Sequence, residues 1–131
     1  MKYVLDTNTC FYALKRHAGV VDRLRRHLPA DLAVTIMTVA ELWFGARKSR
    51  RPAATRSEID AFLAPLTVLP FDHAAAEAYA GIRYALERRG QPIGERDQII
   101  ASIGLARGLT VVTHNVSEFS RVSDLRHEDW F

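Results

Sequence analysis

The sequence predicts an α/β protein in which a central parallel β-sheet is sandwiched between two layers of helices. Two observations support this. Short apolar runs without polar alternation are typical of strands covered on both faces, and segments with helical spacing of apolar residues separate these runs. Strands that alternate with helices favour a parallel sheet with right-handed crossovers. The chain has 131 residues, 48% of them hydrophobic, and no linker or repeat, so we expect a single domain over residues 1–131.

The first third of the chain is expected to contain two strands and three helices. The continuous apolar run Tyr3-Val4-Leu5 predicts the first strand. Helical spacing predicts two helices, Asn8 to Arg16 and Val20 to Leu28, with a break at Gly19. The second strand is expected at Ala33 to Ile36. The helix that follows, Thr38 to Lys48, carries its apolar residues on one stripe.

The middle of the chain is expected to contain one strand and two helices. Ser57 to Leu66 has apolar residues at helical spacing, and Val68-Leu69 predicts the third strand. Asp72 is a good N-cap for a long helix that runs through Arg89. Gly90 then ends this helix.

The last helix and strand are predicted from one apolar region. The segment Glu95 to Arg107 is apolar nearly all round, which is typical of a helix in the protein interior. Gly108 ends this helix. Val111-Val112 predicts the fourth strand, which follows directly.

Charge and cysteine content limit the classes of partner and site. The net charge is +3, but residues 1–56 carry +7 and residues 57–131 carry −4, and 15 of the 18 basic residues are Arg. Arg binds phosphates and carboxylates bidentately, so an anionic polymer or an acidic partner is expected. Cys10 is the only cysteine, which excludes an intrachain disulfide and a Cys-rich zinc site. No apolar run approaches the roughly 20 residues that span a bilayer, so we expect no membrane association and a cytoplasmic location.

Four acidic residues are expected at one edge of the predicted sheet. In an open parallel sheet, ligands bind outside the carboxyl ends of the strands. Asp6 ends the first strand, and Glu41 lies in the first turn of the helix after the second strand. Asp97 lies near the start of a helix that leads into the last strand, so this helix must start at the edge where that strand ends. Polar residues also follow the last strand, namely Thr113, Asn115 and Glu118.

The converging carboxylates predict a site for a divalent metal ion. Carboxylates within a few ångströms of one another repel, which raises the pKa of each unless a cation lies among them. An oxygen-only set, without Cys or His at ligand spacing, selects Mg²⁺ or Mn²⁺ over zinc. Such an ion lowers the pKa of a bound water and stabilises charge on a leaving oxygen. The chemistry that this favours is hydrolysis of a phosphodiester.

Each acid also has a purely structural explanation. Glu41 completes Thr38-Val39-Ala40-Glu41, a match to the Ser/Thr-x-x-Glu capping box. Asp97 lies in a first helical turn, where the helix dipole favours an acid. Asp6 matches the N-cap of the first helix, and Glu118 matches an ordinary surface acid. In this alternative the chain is a non-catalytic module that binds RNA or phosphate, and its acids are helix caps.

A phosphatase is a third interpretation, in which Asp6 is the nucleophile after the first strand. Such enzymes normally have a second Asp two residues later as the acid/base group. The sequence has Asn8 at that position, which counts against this interpretation.

A set of short motifs occurs in a fixed order along the chain. The first is the opening segment from Lys2 to Cys10, with the sequence KYVLDTNTC. The others are Thr38-Val39-Ala40-Glu41-Leu42, Phe44-Gly45-Ala46, Lys48-Ser49, Pro92-Ile93-Gly94, Asp97-Gln98-Ile99-Ile100-Ala101, Val111-Val112-Thr113, Asn115, Glu118-Phe119, Arg121-Val122, Asp124-Leu125-Arg126 and Glu128-Asp129-Trp130. This ordered set closely resembles the PIN-domain toxins of the VapC family over essentially the whole chain.

The resemblance implies a PIN-like α/β/α domain, Mg²⁺- or Mn²⁺-dependent endoribonuclease activity and the role of toxin in a toxin–antitoxin pair. The three core acids of the family match Asp6, Glu41 and Asp97, which we expect to hold the metal. Many members carry Asp where this chain has Asn115, whereas others have Asn there and Glu three residues on, here Glu118. Members usually form homodimers and are neutralised by a small antitoxin whose tail fills the active-site groove. Several cut structured RNA, often tRNA in the anticodon region.

These considerations give a set of expected site residues. We expect Asp6, Glu41, Asp97 and Glu118 to be catalytic, with supporting roles for Thr7, Asn8, Thr113 and Asn115. Basic residues follow the helix that bears Glu41 and are expected to contact RNA: Arg47, Lys48, Arg50 and Arg51. A solvated basic face is the alternative explanation for these four residues.

Overall fold

Five strands form one parallel sheet in the computed structural model, which describes residues 1–131. They are β1 (Tyr3–Leu5), β2 (Leu32–Thr35), β3 (Thr67–Leu69), β4 (Thr110–Val112) and β5 (His127–Glu128). Their order across the sheet is β3-β2-β1-β4-β5, and every neighbouring pair is parallel. This confirms the predicted fold class. It adds β5, which the sequence analysis missed because these two polar residues form no apolar run.

Seven helices cover the sheet. They are α1 (Thr7–Leu14), α2 (Ala18–Arg25), α3 (Ile36–Lys48), α4 (Pro52–Leu63), α5 (His73–Arg88), α6 (Glu95–Ala106) and α7 (Val116–Phe119), with a 3₁₀ turn at Pro29–Asp31 before β2. Six of these helices were predicted. The four-residue α7 was not, because it is too short to show a period. None of the helices combines the length and the apolar character that crossing a membrane requires.

Two apolar cores lie on opposite faces of the sheet, which gives the predicted three layers. Successive strand residues point to opposite faces. Val4 and Val111 face the core under α5 and α6, which includes Ile100 and Ile103. The next residues, Leu5 and Val112, face the core under α1 to α4. The predicted interior position of α6 is confirmed, since its residues 100–104 are all buried.

The break between the first two helices lies at Arg16, three residues before Gly19, where it was predicted. α1 ends at Leu14, and Arg16 adopts a positive φ of 60°. The side chain of His17 then caps α2, because its Nδ1 accepts from the N–H of Val20 at 3.3 Å. Gly19 lies inside α2, where an added Cβ would be 3.2 Å from the backbone of Phe131. This glycine therefore allows a close approach of the backbone and does not end a helix.

Two other predicted boundaries are also corrected. β2 ends at Thr35, and Ile36 begins α3, because the Thr35 hydroxyl accepts from the N–H of Thr38 at 3.2 Å and caps the helix. α4 begins at Pro52 and not at Ser57. Proline is well suited to a first helical position, because its missing N–H would have no partner there.

The topology places a crevice beside the central strand. From β1 the chain proceeds outward through β2 to β3, and then returns to the other side of β1 to form β4. Ligands of open parallel sheets bind at such a switch point, outside the carboxyl ends of the strands. The register pairs Leu5 with Val112, so the residues that follow β1 and β4 emerge side by side.

Candidate active site

An open cleft of about 590 Å³ lies at this carboxyl edge. Its lining comes from the segments that follow β1, from α3 and from the start of α6. The residues are Asp6, Thr7, Asn8, Met37, Glu41, Gly94, Glu95, Arg96, Asp97 and Ile99. The structure therefore brings three of the four predicted acids to one cleft, together with two of the supporting residues. Glu118, Thr113 and Asn115 do not line the cleft, but they contact Asp6 or Asp97.

Asp6 is a buried carboxylate and also caps a helix. Its side chain is 2% exposed, and its Oδ1 accepts from the N–H of Thr9 at 2.9 Å, which begins α1. Burial raises the pKa of Asp6, and the negative charge of Glu41 raises it further. Hydrogen bonds donated by Thr113 and Thr9 lower this pKa and so oppose the effect of burial. The predicted N-cap is thus confirmed. The capping hydrogen bond uses one carboxylate oxygen of Asp6 and leaves the buried charge of this residue without a cationic partner.

Glu41 has no capping role. It lies in the second turn of α3, and the cap of that helix is Thr35, so the predicted capping box at Thr38 is wrong. A hydrogen-bonded chain fixes the Glu41 carboxylate instead. The Thr7 hydroxyl donates to Oε1 at 2.6 Å and lies 3.0 Å from the hydroxyl of Thr38, which is fully buried. The side chain of Glu41 is therefore oriented into the cleft by two threonines.

Asp97 lies in the first turn of α6, where it joins a group of three polar side chains. The Nδ2 of Asn115 donates to Asp97 at 3.1 Å and to Glu118 at 2.8 Å. Burial raises the pKa of Asp97 to about 7, and the hydrogen bond to Glu118 and the negative charge of Asp6 contribute to this rise. The same hydrogen bond lowers the pKa of Glu118. Asn115 therefore bridges the two carboxyls, and the pKa of Asp97 lies above that of Glu118.

The donor set fits a hard divalent cation by its chemistry. No group of three His, Cys, Asp or Glu side chains shares one metal position as the side chains stand. The charge of Glu41 nevertheless raises the pKa of Asp6, and the charge of Asp6 raises the pKa of Asp97, so neighbouring carboxylates of the cleft are close enough to repel. Mg²⁺ usually keeps several waters and takes one or two protein carboxylates, so a complete protein cage is not required.

The predicted RNA-binding residues lie away from the cleft. α3 begins at the carboxyl edge of the sheet and runs away from it, and Arg47 and Lys48 are in its last turn. Arg50 and Arg51 follow in the connection to α4, and all four side chains are exposed. None of them lines the cleft.

One cationic residue that was not predicted from the sequence lines the cleft. Arg96 precedes Asp97 in α6, and its Nη1 lies 3.4 Å from Oε2 of Glu41. Its position next to a predicted ligand, in a helix whose first turn faces the carboxyl edge, was the signal that could have identified it.

Comparisons with known proteins agree along the whole chain. Residues 3–125 match the PIN domain family model. The chain is 40% identical to the tRNA(fMet)-specific endonuclease VapC of Shigella flexneri, with 99% of this chain and 98% of that protein covered. A chain in the crystal structure of DNA-bound VapBC from Salmonella typhimurium has a TM-score of 0.95 at 37% identity, covering 100% of this chain and 99% of that one. A chain in the crystal structure of VapBC2 from Rickettsia felis, bound to a promoter DNA fragment, has a TM-score of 0.93 at 34% identity, with both chains fully covered.

Proposed function

Because this chain belongs to the PIN-domain VapC family of ribonuclease toxins, we propose that it is a metal-dependent endoribonuclease that acts as the toxin of a toxin–antitoxin pair. The observation that carries the metal-dependent mechanism is the meeting of Asp6, Glu41 and Asp97 in one cleft at the switch point of the sheet. We further propose that residues 1–131 act as a single nuclease domain. Its site of action is the cytoplasm, where its RNA substrate occurs.

In this mechanism Asp6, Glu41 and Asp97 hold Mg²⁺ or Mn²⁺, with Asn115 and Glu118 supporting Asp97. The bound cation would supply Lewis acidity, a water of lowered pKa and charge stabilisation at the leaving oxygen of the RNA phosphodiester. The protein contributes oxygen ligands in a cleft that is open to a large substrate. The chemistry of the residues present matches this role, since all the ligands are hard oxygen donors.

The chain's own side chains fix the carboxylates before substrate arrives. Thr7 orients Glu41, and Thr113 with Thr9 orients Asp6. Asn115 holds Asp97, whose raised pKa a bound cation would lower by favouring the charged carboxylate. Asn8 lies exposed in the cleft, where its amide can contact substrate. Such prior orientation reduces the reorganisation that the reaction requires.

We propose tRNA as the substrate class, and initiator tRNA as the first candidate. The support is the likeness over the full length to two proteins described as tRNA(fMet)-specific endonucleases, at 40% and 37% identity. Arg47, Lys48, Arg50 and Arg51 would contact the RNA backbone at a distance from the cleft, because exposed arginine and lysine bind phosphates.

We also propose a cognate antitoxin and a homodimer as the partners of this chain. Solved VapBC complexes from Salmonella typhimurium and Rickettsia felis resemble it over their length. Apolar side chains are exposed on α3, with Phe44 61% and Ile36 47% accessible, and such area favours a protein interface. Light scattering of the purified chain at micromolar concentration tests the dimer, and a monomeric mass would contradict it.

The test of the proposed function is cleavage of cellular RNA by the wild type and by Asp6→Asn and Asp97→Asn, each with Mg²⁺ or with EDTA. Asp72→Asn is the matched control, because Asp72 caps α5 outside the cleft and Asn also caps helices. We expect discrete fragments only from wild type and the Asp72 variant, and only with metal. Full metal-dependent cleavage by a folded Asp6 or Asp97 variant would refute the mechanism. RNA binding without cleavage or metal effect would support the non-catalytic binding module.

A further inference from the structure

Arg96 is the only cationic side chain among the residues that line the cleft. Four of its neighbours in this lining are acids, namely Asp6, Glu41, Glu95 and Asp97. An RNA strand carries a negative charge at every phosphate, so a cleft of this composition repels it. A cation of the protein inside the cleft is therefore the group that can draw a phosphate toward the acids.

Stability does not explain an arginine at this position. Arg96 is the second residue of α6, where the positive end of the helix dipole disfavours a cation. Its one ionic contact is long, at 3.4 Å to Glu41, and its side chain is 73% exposed. Exposed ion pairs of this kind contribute little to stability. A residue that opposes the local preference without a structural gain is expected at a functional site.

We propose that Arg96 binds a backbone phosphate of the RNA substrate within the cleft and positions the strand against the three carboxylates. The planar guanidinium is suited to bidentate contact with phosphate oxygens. Because the side chain is exposed and loosely paired, it can move from Glu41 to the phosphate without losing a strong interaction. This inference rests on the proposed ribonuclease function.

The basic residues elsewhere cannot take this role. Arg47 and Lys48 lie in the last turn of α3, whereas Glu41 lies in its second turn. At a rise of about 1.5 Å per residue, their Cα atoms are about 9 Å or more farther along the helix, away from the carboxyl edge. They can add affinity for RNA, but they do not line the cleft where the phosphodiester must lie.

The test compares Arg96→Gln and Arg96→Lys with the wild type. Arg83→Gln is the matched control, because Arg83 is an exposed arginine on α5 that also pairs with a carboxylate, Glu87, at 2.7 Å. KM and kcat are measured with Mg²⁺ on initiator tRNA. Binding of its labelled anticodon hairpin is measured by fluorescence anisotropy in EDTA over a range of salt concentrations. Circular dichroism and thermal unfolding confirm that each variant is folded.

We expect Arg96→Gln to raise KM about tenfold and to weaken hairpin binding by a similar factor, which corresponds to one lost phosphate contact. The slope of log affinity against log salt should fall by about 0.7 to 1. Arg96→Lys should keep the salt slope, because it keeps the charge, while losing part of the affinity with the bidentate geometry. Arg83→Gln should match the wild type in every measurement.

Two results would overturn this inference. The first is that Arg96→Gln matches Arg83→Gln in both KM and binding. The second is that Arg96→Gln tightens Mg²⁺ binding and leaves the KM for RNA unchanged, which would assign Arg96 to holding Glu41. If the wild type does not bind the hairpin in EDTA, the KM comparison alone decides. Failure of the wild type to cleave any RNA with metal would instead refute the proposed function, so the two failures are distinguishable.

Discussion

Replacing Asp97 by Asn is expected to stabilise the metal-free protein at neutral pH while abolishing cleavage. Asp97 lies half-buried between Asn115 and Glu118, and burial with the hydrogen bond to Glu118 raises its pKa to about 7. An Asn side chain keeps both contacts, since its oxygen accepts from Asn115 and its amide donates to Glu118. The variant therefore removes a charge that the folded protein resists, without removing the hydrogen bonds around it.

The sign of the pH dependence follows from proton binding. In the folded protein the pKa of Asp97 is about 7, whereas an ordinary Asp carboxyl has a pKa of 3.8. Between these values the folded state binds more protons than the unfolded state, so the free energy of unfolding of wild type falls as pH rises. The full shift corresponds to at most about 4 kcal/mol. Because Asp97 is only half-buried, solvent screening reduces the expected effect to about 1–2 kcal/mol.

Glu118 has the opposite pH dependence, which fixes the window of the assay. Its pKa is lowered below 4.5 by the hydrogen bond with Asp97, so its contribution to stability is lost only as pH falls below that value. Glu118 therefore adds no pH dependence between about pH 5 and pH 8. Burial also raises the pKa of Asp6, but Asp6 is present in both proteins, so the difference between Asp97→Asn and wild type in this window reports mainly on Asp97.

Urea unfolding in EDTA at the two ends of this window measures the effect. The advantage of Asp97→Asn over wild type should grow by about 1–2 kcal/mol from pH 5 to pH 8, and Asp72→Asn should show no such growth. Saturating Mg²⁺ should then stabilise wild type by about 2.7 kcal/mol at one hundred times its dissociation constant, and should not stabilise Asp97→Asn. A stability difference that is equal at both pH values would refute the reasoning.

Three further predictions concern positioning, packing and helix propensity. Thr7→Val should lower kcat about tenfold, because Glu41 loses a short hydrogen bond worth about 1.4 kcal/mol. Thr7→Ser should retain activity, and equal kcat values for the Val and Ser variants would contradict this. Trp130→Ala should cost about 3–5 kcal/mol in urea unfolding, because Trp130 is 2% exposed, and the more exposed Trp43→Ala should cost clearly less. Gly81→Ala should raise stability by about 0.5–1 kcal/mol, because an added Cβ contacts nothing within 4 Å; a lower urea midpoint would contradict this.

The strands and helices that were predicted correctly are those with a local pattern of apolar residues in the sequence. The runs at Tyr3-Val4-Leu5 and Val111-Val112 are strands because both faces of the sheet are covered, and that burial produces the continuous apolar pattern. β5 carries no such signal, since it is an edge strand of two half-buried polar residues that pairs only with β4. Its position is fixed by tertiary contacts, such as the buried side chain of Trp130, which no local pattern reveals.

The acidic residues of the site were predicted by topology, but their surroundings were not. The rule that ligands bind at the carboxyl edge was enough to bring Asp6, Glu41 and Asp97 together. The sequence could not show that Thr7 orients Glu41, because this contact joins residues 34 positions apart. The capping box at Glu41 was a wrong prediction for a similar reason. The cap of a helix depends on where the preceding strand ends, and Thr35 rather than Thr38 occupies that point.

The central position of β1 also determines when the proposed active-site cleft becomes ordered during folding. Asp6 follows the first strand of the chain, but its backbone is held by Val112 in β4, and the neighbouring Thr9 hydroxyl donates to Val112 across 103 residues. Contacts so distant in sequence carry a large loop-closure cost, so they form slowly compared with local contacts. A nascent chain that has not yet reached β4 therefore carries every residue that lines the cleft, but it lacks the strand that holds the backbone of Asp6. The C-terminal part of the chain must be made before the cleft is ordered, although it contributes none of the lining residues.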